Sequence, residues 1–243
     1  MNFDITEVCL EYRYDAYVST QSGKTLPENQ DGGGDSTSTR RRTQQERSSQ
    51  AETALLDAAA TLFGQRGVDQ TSLAEVGELA GYSRGLANHH FGTKAALVER
   101  LARRTQAAFV AHLDDQRKTA LELLLSIADD YLIAASNGSE TARAFFVMWG
   151  AALASEAPLR EMFATDDAQF RRGIELVLQR GQSDKSISPT VDTALGATTV
   201  VGLLRGISAQ YLINPESFDM AAVQRSTALL LRQAFGSANG CGQ

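Results

Sequence analysis

The stretch Thr71–Lys94, TSLAEVGELAGYSRGLANHHFGTK, constrains this chain more than any other part of it. Ser72 and Glu75 stand three residues apart ahead of an apolar pattern, the spacing at which a Ser caps a helix and a Glu reaches back to the cap's own amide. Leu73, Val76 and Ala80 then fall on one face of a helix. Gly81 follows where a left-handed C-terminal residue is expected. Ser83 stands where it can cap a second short helix, from Arg84 to about His90. Gly77 has no side chain, so a second helix can cross close to it. A capped helix, a Gly turn and another capped helix read as a helix-turn-helix, whose second helix commonly enters the DNA major groove.

The flanks extend the pattern. Ala51–Gly67 (AETALLDAAATLFGQRG) reads as a helix with Leu55, Leu56, Ala59, Leu62 and Phe63 inward and Gly67 as its stop. After the second short helix come Phe91-Gly92-Thr93-Lys94, then Leu97 and Val98 opening a longer helix to about Asp115. The remainder is expected to be helical: 119–135, 141–154, 158–181, 191–213 and 218–235, with a polar loop at 181–190. Only 4 Pro are present, and β-branched alternation is nearly missing, so the class expected is all-α with about nine helices.

Charge divides the chain. Residues 1–39 hold 2 Lys/Arg against 7 Asp/Glu, a net of −5; residues 40–107 hold 10 against 7, a net of +3; residues 108–243 hold 11 against 15, a net of −4. A basic island in an acidic chain suits a DNA-contacting segment joined to one that does not touch DNA. Arg40-Arg41-Arg42 and Arg47 read as a basic arm ahead of the first helix, or as a solvated linker. Residues 1–46 are expected to be a disordered extension carrying that arm, with Gly32-Gly33-Gly34 inside a Ser/Thr/Gln-rich run. Residues 237–243 are expected to be a disordered tail. Cys9 and Cys241 lie near opposite ends, which argues against a structural disulfide. With no basic leader and no apolar run of membrane-spanning length, a cytoplasmic location with no membrane partner is expected.

The residues LLDAAATLFGQRG, TSLAEVGELAGYSRG and HHF-x-x-K with Leu97, about 50 residues in one order and spacing, resemble the DNA-binding domain of the tetracycline-repressor (TetR) family. The resemblance implies a three-helix helix-turn-helix domain over 47–93 and a ligand-binding and dimerisation bundle over 94–236. Fragments of the second half, FFVMWGAAL and GLLRGISAQYLINPESFD, are similar to that bundle, the first to the branch that includes betaine-responsive repressors.

Candidate DNA contacts follow. Arg84, Leu86, Asn88 and His89 are placed to face the groove, where Arg can pair with guanine and Asn with adenine. Family members often carry Tyr at the positions of Asn88 and His90, so the resemblance implies the fold but not the operator sequence. The resemblance adds Thr71, Ser72, Tyr82, Ser83, Gly85, His90, Thr93 and Lys94 as contacts, Lys94 meeting a phosphate together with the free amides of its helix. For Ser72, Ser83 and Thr93 the competing reading is capping alone. His89 and His90 could also ligate a metal, but no third ligand stands at a suitable spacing. In the bundle, Tyr131, Phe145, Met148, Trp149 and Phe170 are apolar or aromatic, and the resemblance makes them the lining of a ligand cavity; ordinary packing is the alternative. Few charges fall among them, which favours an apolar or amphipathic effector.

Residues 191–213 are apolar nearly all round, with small Gly196, Ala197, Gly202, Gly206, Ser208 and Ala209. Such a helix must be buried; it and the helix at 218–235 are expected to make a homodimer, with burial within one subunit as the alternative. The expected function is a dimeric, ligand-responsive repressor of a palindromic operator on double-stranded DNA, with no cofactor. A regulator switched by a protein partner and a helical enzyme are the alternatives. No paired nucleophile and base, metal box or phosphate-cradling Gly loop supports the enzyme.

Overall fold

The computed structural model describes residues 44–110, 117–154 and 159–237. Among the described residues it is all-α: α1 Gln44–Arg66, α2 Leu73–Leu79, α3 Leu86–Phe91, α4 Lys94–Val110, α5 Ala120–Ser136, α6 Glu140–Ala154, α7 Leu159–Ser183, α8 Thr193–Ile213 and α9 Met220–Phe235. The extension before residue 44, the Arg40–Arg42 run, the end of the tail and both Cys lie outside the described residues.

α1 begins seven residues before the Ala51 expected for it, so Arg47 sits exposed in its first turns rather than in an arm. Its apolar face buries Leu55, Leu56, Ala59 and Phe63. α4 crosses it, placing Leu97, Val98 and Leu101 on the same core, and Arg100–Glu52 (2.7 Å) and Arg104–Asp57 (2.9 Å) ion pairs flank the crossing. Val76 of α2 and Ala87 of α3 complete this side. The cluster does not stop there. Ala144, Phe145, Met148 and Ala152 of α6 and Phe163 of α7 belong to it, because α1 lies against α6. Gly64 makes that approach possible: a Cβ there would meet the Glu140 carboxylate at 3.1 Å and Arg143 at 3.3 Å.

A second core gathers α5, α7, α8 and α9 around Leu124, Leu132, Ile174, Leu178, Val200 and Leu204. α5 starts with a capping box in which Thr119 and Glu122 satisfy each other's amides. Asp192 and Asp219 cap α8 and α9 through their carboxylates.

The segment expected as a polar loop at 181–190 departs from that reading. α7 runs on to Ser183, and Gly181 is not its stop. Ile187 is 1% exposed and fills the space over Gly181, where a Cβ would meet its Cγ1 at 2.1 Å. Asp184 accepts from the Ala120 amide at 2.8 Å and Ser186 Oγ from the Leu121 amide at 3.1 Å, so the loop also caps α5. Burial pushes the Asp184 carboxyl up, but bonds from Ser186 and the Ala120 amide, with Arg180 nearby, outweigh it and hold the carboxyl below its usual range. Polar composition hides this segment because one Ile does the burying while its neighbours serve backbone amides.

In the helix-turn-helix, Gly81 is left-handed (φ 79°), and Tyr82 N–H returns to Gly77 O at 2.9 Å. Gly77 faces the backbone carbonyl of Ser83, which a Cβ would meet at 2.6 Å. Gly77→Ala is therefore expected to cost about 1–3 kcal/mol through backbone displacement. Gly85→Ala, with open space around it, is expected to stay within about 0.5 kcal/mol. Thermal denaturation of the pair checks this; equal melting of the two variants would mean the Gly77–Ser83 contact is slack.

Candidate nucleic-acid interface

The capping box at α2 is closed on itself. Ser72 N–H donates to Glu75 at 2.9 Å, its hydroxyl donates to the same carboxylate at 2.6 Å, and the Glu75 amide donates to Ser72 Oγ at 3.3 Å. The Ser72 hydroxyl first, then its amide, holds the Glu75 carboxyl below its usual range, and Arg66 at 2.9 Å adds to this.

α3 starts at Leu86, two residues later than expected, with Gly85 at its N-cap and no side-chain cap. Ser83 is not the cap: its carbonyl accepts the Leu86 amide at 3.0 Å and packs on Gly77, which fixes the turn by backbone alone. Arg84 accordingly lies in the turn, exposed, its guanidinium paired with Glu78 of α2. One face of α3 sends Ala87 into the core, with Leu86 and Phe91 half-buried against it. The opposite face leaves Asn88 and His89 exposed, beside exposed Tyr82, Ser83 and Gly85. His90 is half-buried and its ring lies 6.1 Å from Phe91. No group of three His, Cys, Asp or Glu able to hold a metal occurs among the described residues.

Thr71 is 2% exposed and its hydroxyl donates to Gly67 O at 3.0 Å, so it braces the α1–α2 turn. Thr93 is exposed and accepts the Ala96 amide at 3.1 Å, capping α4. Lys94 donates from Nζ to Val68 O at 3.1 Å and Asp69 O at 3.0 Å. An ammonium has three donors, so one remains after the α1–α2 turn is held.

The five apolar bundle candidates do not form one cluster. Phe145, Met148 and Trp149 belong with α1 and α4 to the first core, Phe145 edge-on to Phe163 at 5.7 Å. Tyr131 and Phe170 lie in the second core, stacked at 5.7 Å and 11°. Arg205 of α8 joins the two sets. It is 5% exposed, its guanidinium stands 5.5 Å from the Phe145 ring centre and 5.4 Å from that of Trp149, and it pairs with Asp167 of α7. Burial pushes the Tyr131 hydroxyl up to about 12, with a hydrogen bond from Arg205 working against the rise. Sequence reasoning missed Arg205, although a signal was present: it is the one charge in the 21 residues of α8.

The outer face of α8 is bare. Leu195 is 67% and Ile213 84% exposed, and between them a Cβ added at Gly202 or Gly206 would meet nothing within 4 Å. Leu229 and Leu230 of α9 are also exposed. Burial of α8 within one subunit, the alternative to a dimer, thus holds for its inner face alone.

Residues 55–101 match the family described as bacterial regulatory proteins, tetR family, and residues 120–235 match the C-terminal domain of BetI-type transcriptional repressors. The chain is 41% identical over 56 residues to the HTH-type transcriptional regulator TtgR of Pseudomonas putida, a match covering 23% of this chain and 27% of TtgR. The match thus spans about a quarter of that relative's length. It is 26% identical over 198 residues to the HTH-type transcriptional regulator AcrR of Shigella flexneri, covering 78% of this chain and 91% of AcrR. The solved structure of a SmeT–triclosan complex superposes with a TM-score of 0.64 at 24% identity, covering 77% of this chain and 92% of that one. With both halves of the described fold matched in order, the chain belongs to the tetR family of bacterial regulatory proteins.

Proposed function

We propose that this chain is a one-component transcription regulator, a repressor that binds palindromic DNA as a dimer and is released by a small molecule held in its helical bundle. The observation that carries this reading is the exposed face of α3, Asn88 and His89 beside Arg84, mounted on a core continuous with α6 of the bundle. Side chains at the start of such a helix reach base edges in the major groove. Tyr82, Ser83, Gly85 and Thr93 are proposed to meet the backbone, with the remaining donor of Lys94 directed at a phosphate. Thr71 and Ser72 have their hydroxyls engaged within the protein, so their part is to hold the turn.

The bare stripe of α8, with Leu229 and Leu230 of α9, supports a two-fold dimer. Glycines at 202 and 206 let a partner helix approach closely. Such a dimer would set two copies of α3 about 34 Å apart, one turn of DNA. A ligand releases DNA to the extent that it binds better to the arrangement in which that spacing is lost. Support for a small effector is the meeting of both cores at Arg205 and its aromatic neighbours; a protein of the same fold is described in complex with triclosan.

Selecting bound sequences from random DNA tests the reading directly, and a palindrome is expected. Asn88→Ala is expected to cost about 1–3 kcal/mol per half-site on that palindrome and to relax one symmetric base position, with little change on random DNA. Lys94→Ala is expected to weaken both DNAs alike. A phosphate contact contributes about 0.9 to the slope of log affinity against log salt, so two copies should reduce the slope by about 1.8. An unchanged slope with lowered melting would make Lys94 a brace for the α1–α2 turn only. A Cβ at Gly202 would meet no atom of its own subunit within 4 Å, which leaves room for Gly202→Arg. That variant is expected to give folded monomers in sedimentation, with DNA affinity lost; an intact dimer would move the interface off α8.

A further inference from the structure

Arg205 and Ser208 stand three apart on α8 and share its inner face. Both are buried, at 5% and 0% exposure. Arg205 Nε and Ser208 Oγ have no hydrogen-bond partner among the described residues. A buried polar atom left unpaired costs free energy, and native proteins keep few of them. Two on one helix face, Arg205 lying over the rings of Phe145 and Trp149 at the junction of two apolar cores, therefore call for a ligand. The charge of Arg205 is already answered by Asp167, so what remains to be met is hydrogen-bonding capacity.

We infer that Arg205 and Ser208 form the polar end of the effector site and select an uncharged molecule: an aromatic or aliphatic body carrying a carbonyl or hydroxyl oxygen that accepts from Arg205 Nε and bonds to Ser208 Oγ. This rests on the proposed ligand-responsive function and names its ligand class. The charge balance excludes a carboxylate. Arg205 is the one cation among the buried residues described, and it faces Asp167, with Asp166 buried next in the chain. No surplus positive charge is left for an anion leaving water, and an unpaired buried charge is costly. A molecule without an oxygen would leave both protein groups unpaired, the situation in which polar sites discriminate most sharply.

Titration calorimetry with naphthalene, β-naphthol and β-naphthoate, three probes of nearly one shape, tests this. β-Naphthol is expected to bind the full chain about tenfold or more tightly than either of the others, the equivalent of one hydrogen bond to a charged donor. Ser208→Ala is expected to reduce that preference severalfold while leaving naphthalene affinity unchanged. The same variant should melt at the same or a higher temperature without probe, because it removes an unpaired hydroxyl; a merely structural Ser208 would not alter the preference at all. Tightest binding of the naphthoate, or a preference that Ser208→Ala leaves intact, overturns the inference. Equal binding of all three also overturns it but leaves the bundle as a ligand site. Binding of none, with palindrome affinity retained, overturns both the inference and the ligand-responsive reading.

Discussion

The seam between α1 and α6 is the contact on which the rest of the architecture depends. Leu55, Ala59 and Phe63 of the first helix and Ala144, Phe145 and Met148 of the sixth belong to one apolar cluster. Each large buried side chain there contributes about 1.5–3 kcal/mol. A three-helix unit as small as α1–α3 buries too little surface to be rigid alone. It borrows its core from the bundle, and in exchange its orientation is fixed by the bundle. α4, read from sequence as the shared element, is one of two mechanical links. The other is α1, made possible at Gly64, where the Glu140 and Arg143 side chains come within 3.1–3.3 Å of the place a Cβ would take.

Much of the DNA-facing half was legible because its signals are local. Ser72 with Glu75 and Gly81 each encode a backbone geometry within a few residues and are found as read, while at Gly77 the close approach is made by the Ser83 carbonyl of the turn and not by the second helix. Ser83 was misread for an instructive reason. A Ser ahead of a helix suggests a side-chain cap, but the turn here is tightened until the Ser83 carbonyl does the work against Gly77. The pairing of Lys94 with Val68 and Asp69, and of Arg84 with Glu78, was not legible, because pairing across elements depends on how the helices pack.

The bundle was legible in helix number and in its apolar faces, less so in its centre. Aromatic residues read as one group belong to two cores. The lone charge of α8 joins them, and a pattern search for apolar periodicity passes over such a residue. A buried guanidinium costs several kcal/mol unless it is paired. Arg205 meets that cost with a carboxylate, a phenol oxygen and two ring faces drawn from three other helices. Contacts of that kind exist only after α5, α6, α7 and α8 have met.

The loop that joins α7 to α8 has one more effect. Ile187 seals Gly181, Ser188 N–H bonds to Phe235 O at 2.8 Å, and Ser237 N–H bonds to Ser186 O at 3.2 Å, while Asp184 and Ser186 hold the first amides of α5. Three stretches far apart in the chain are thereby sewn together at one end of the bundle. The last helix cannot fray from its C-terminus without unsealing Ile187, and α5 cannot unwind from its start without losing the same loop. Local opening is thus tied to sub-global opening, and the start of α5, the end of α7 and the end of α9 are held as one unit. The amides of 187, 188 and 236 all donate inside that unit, to Gly181, Phe235 and Arg232, in a segment whose composition alone reads as surface.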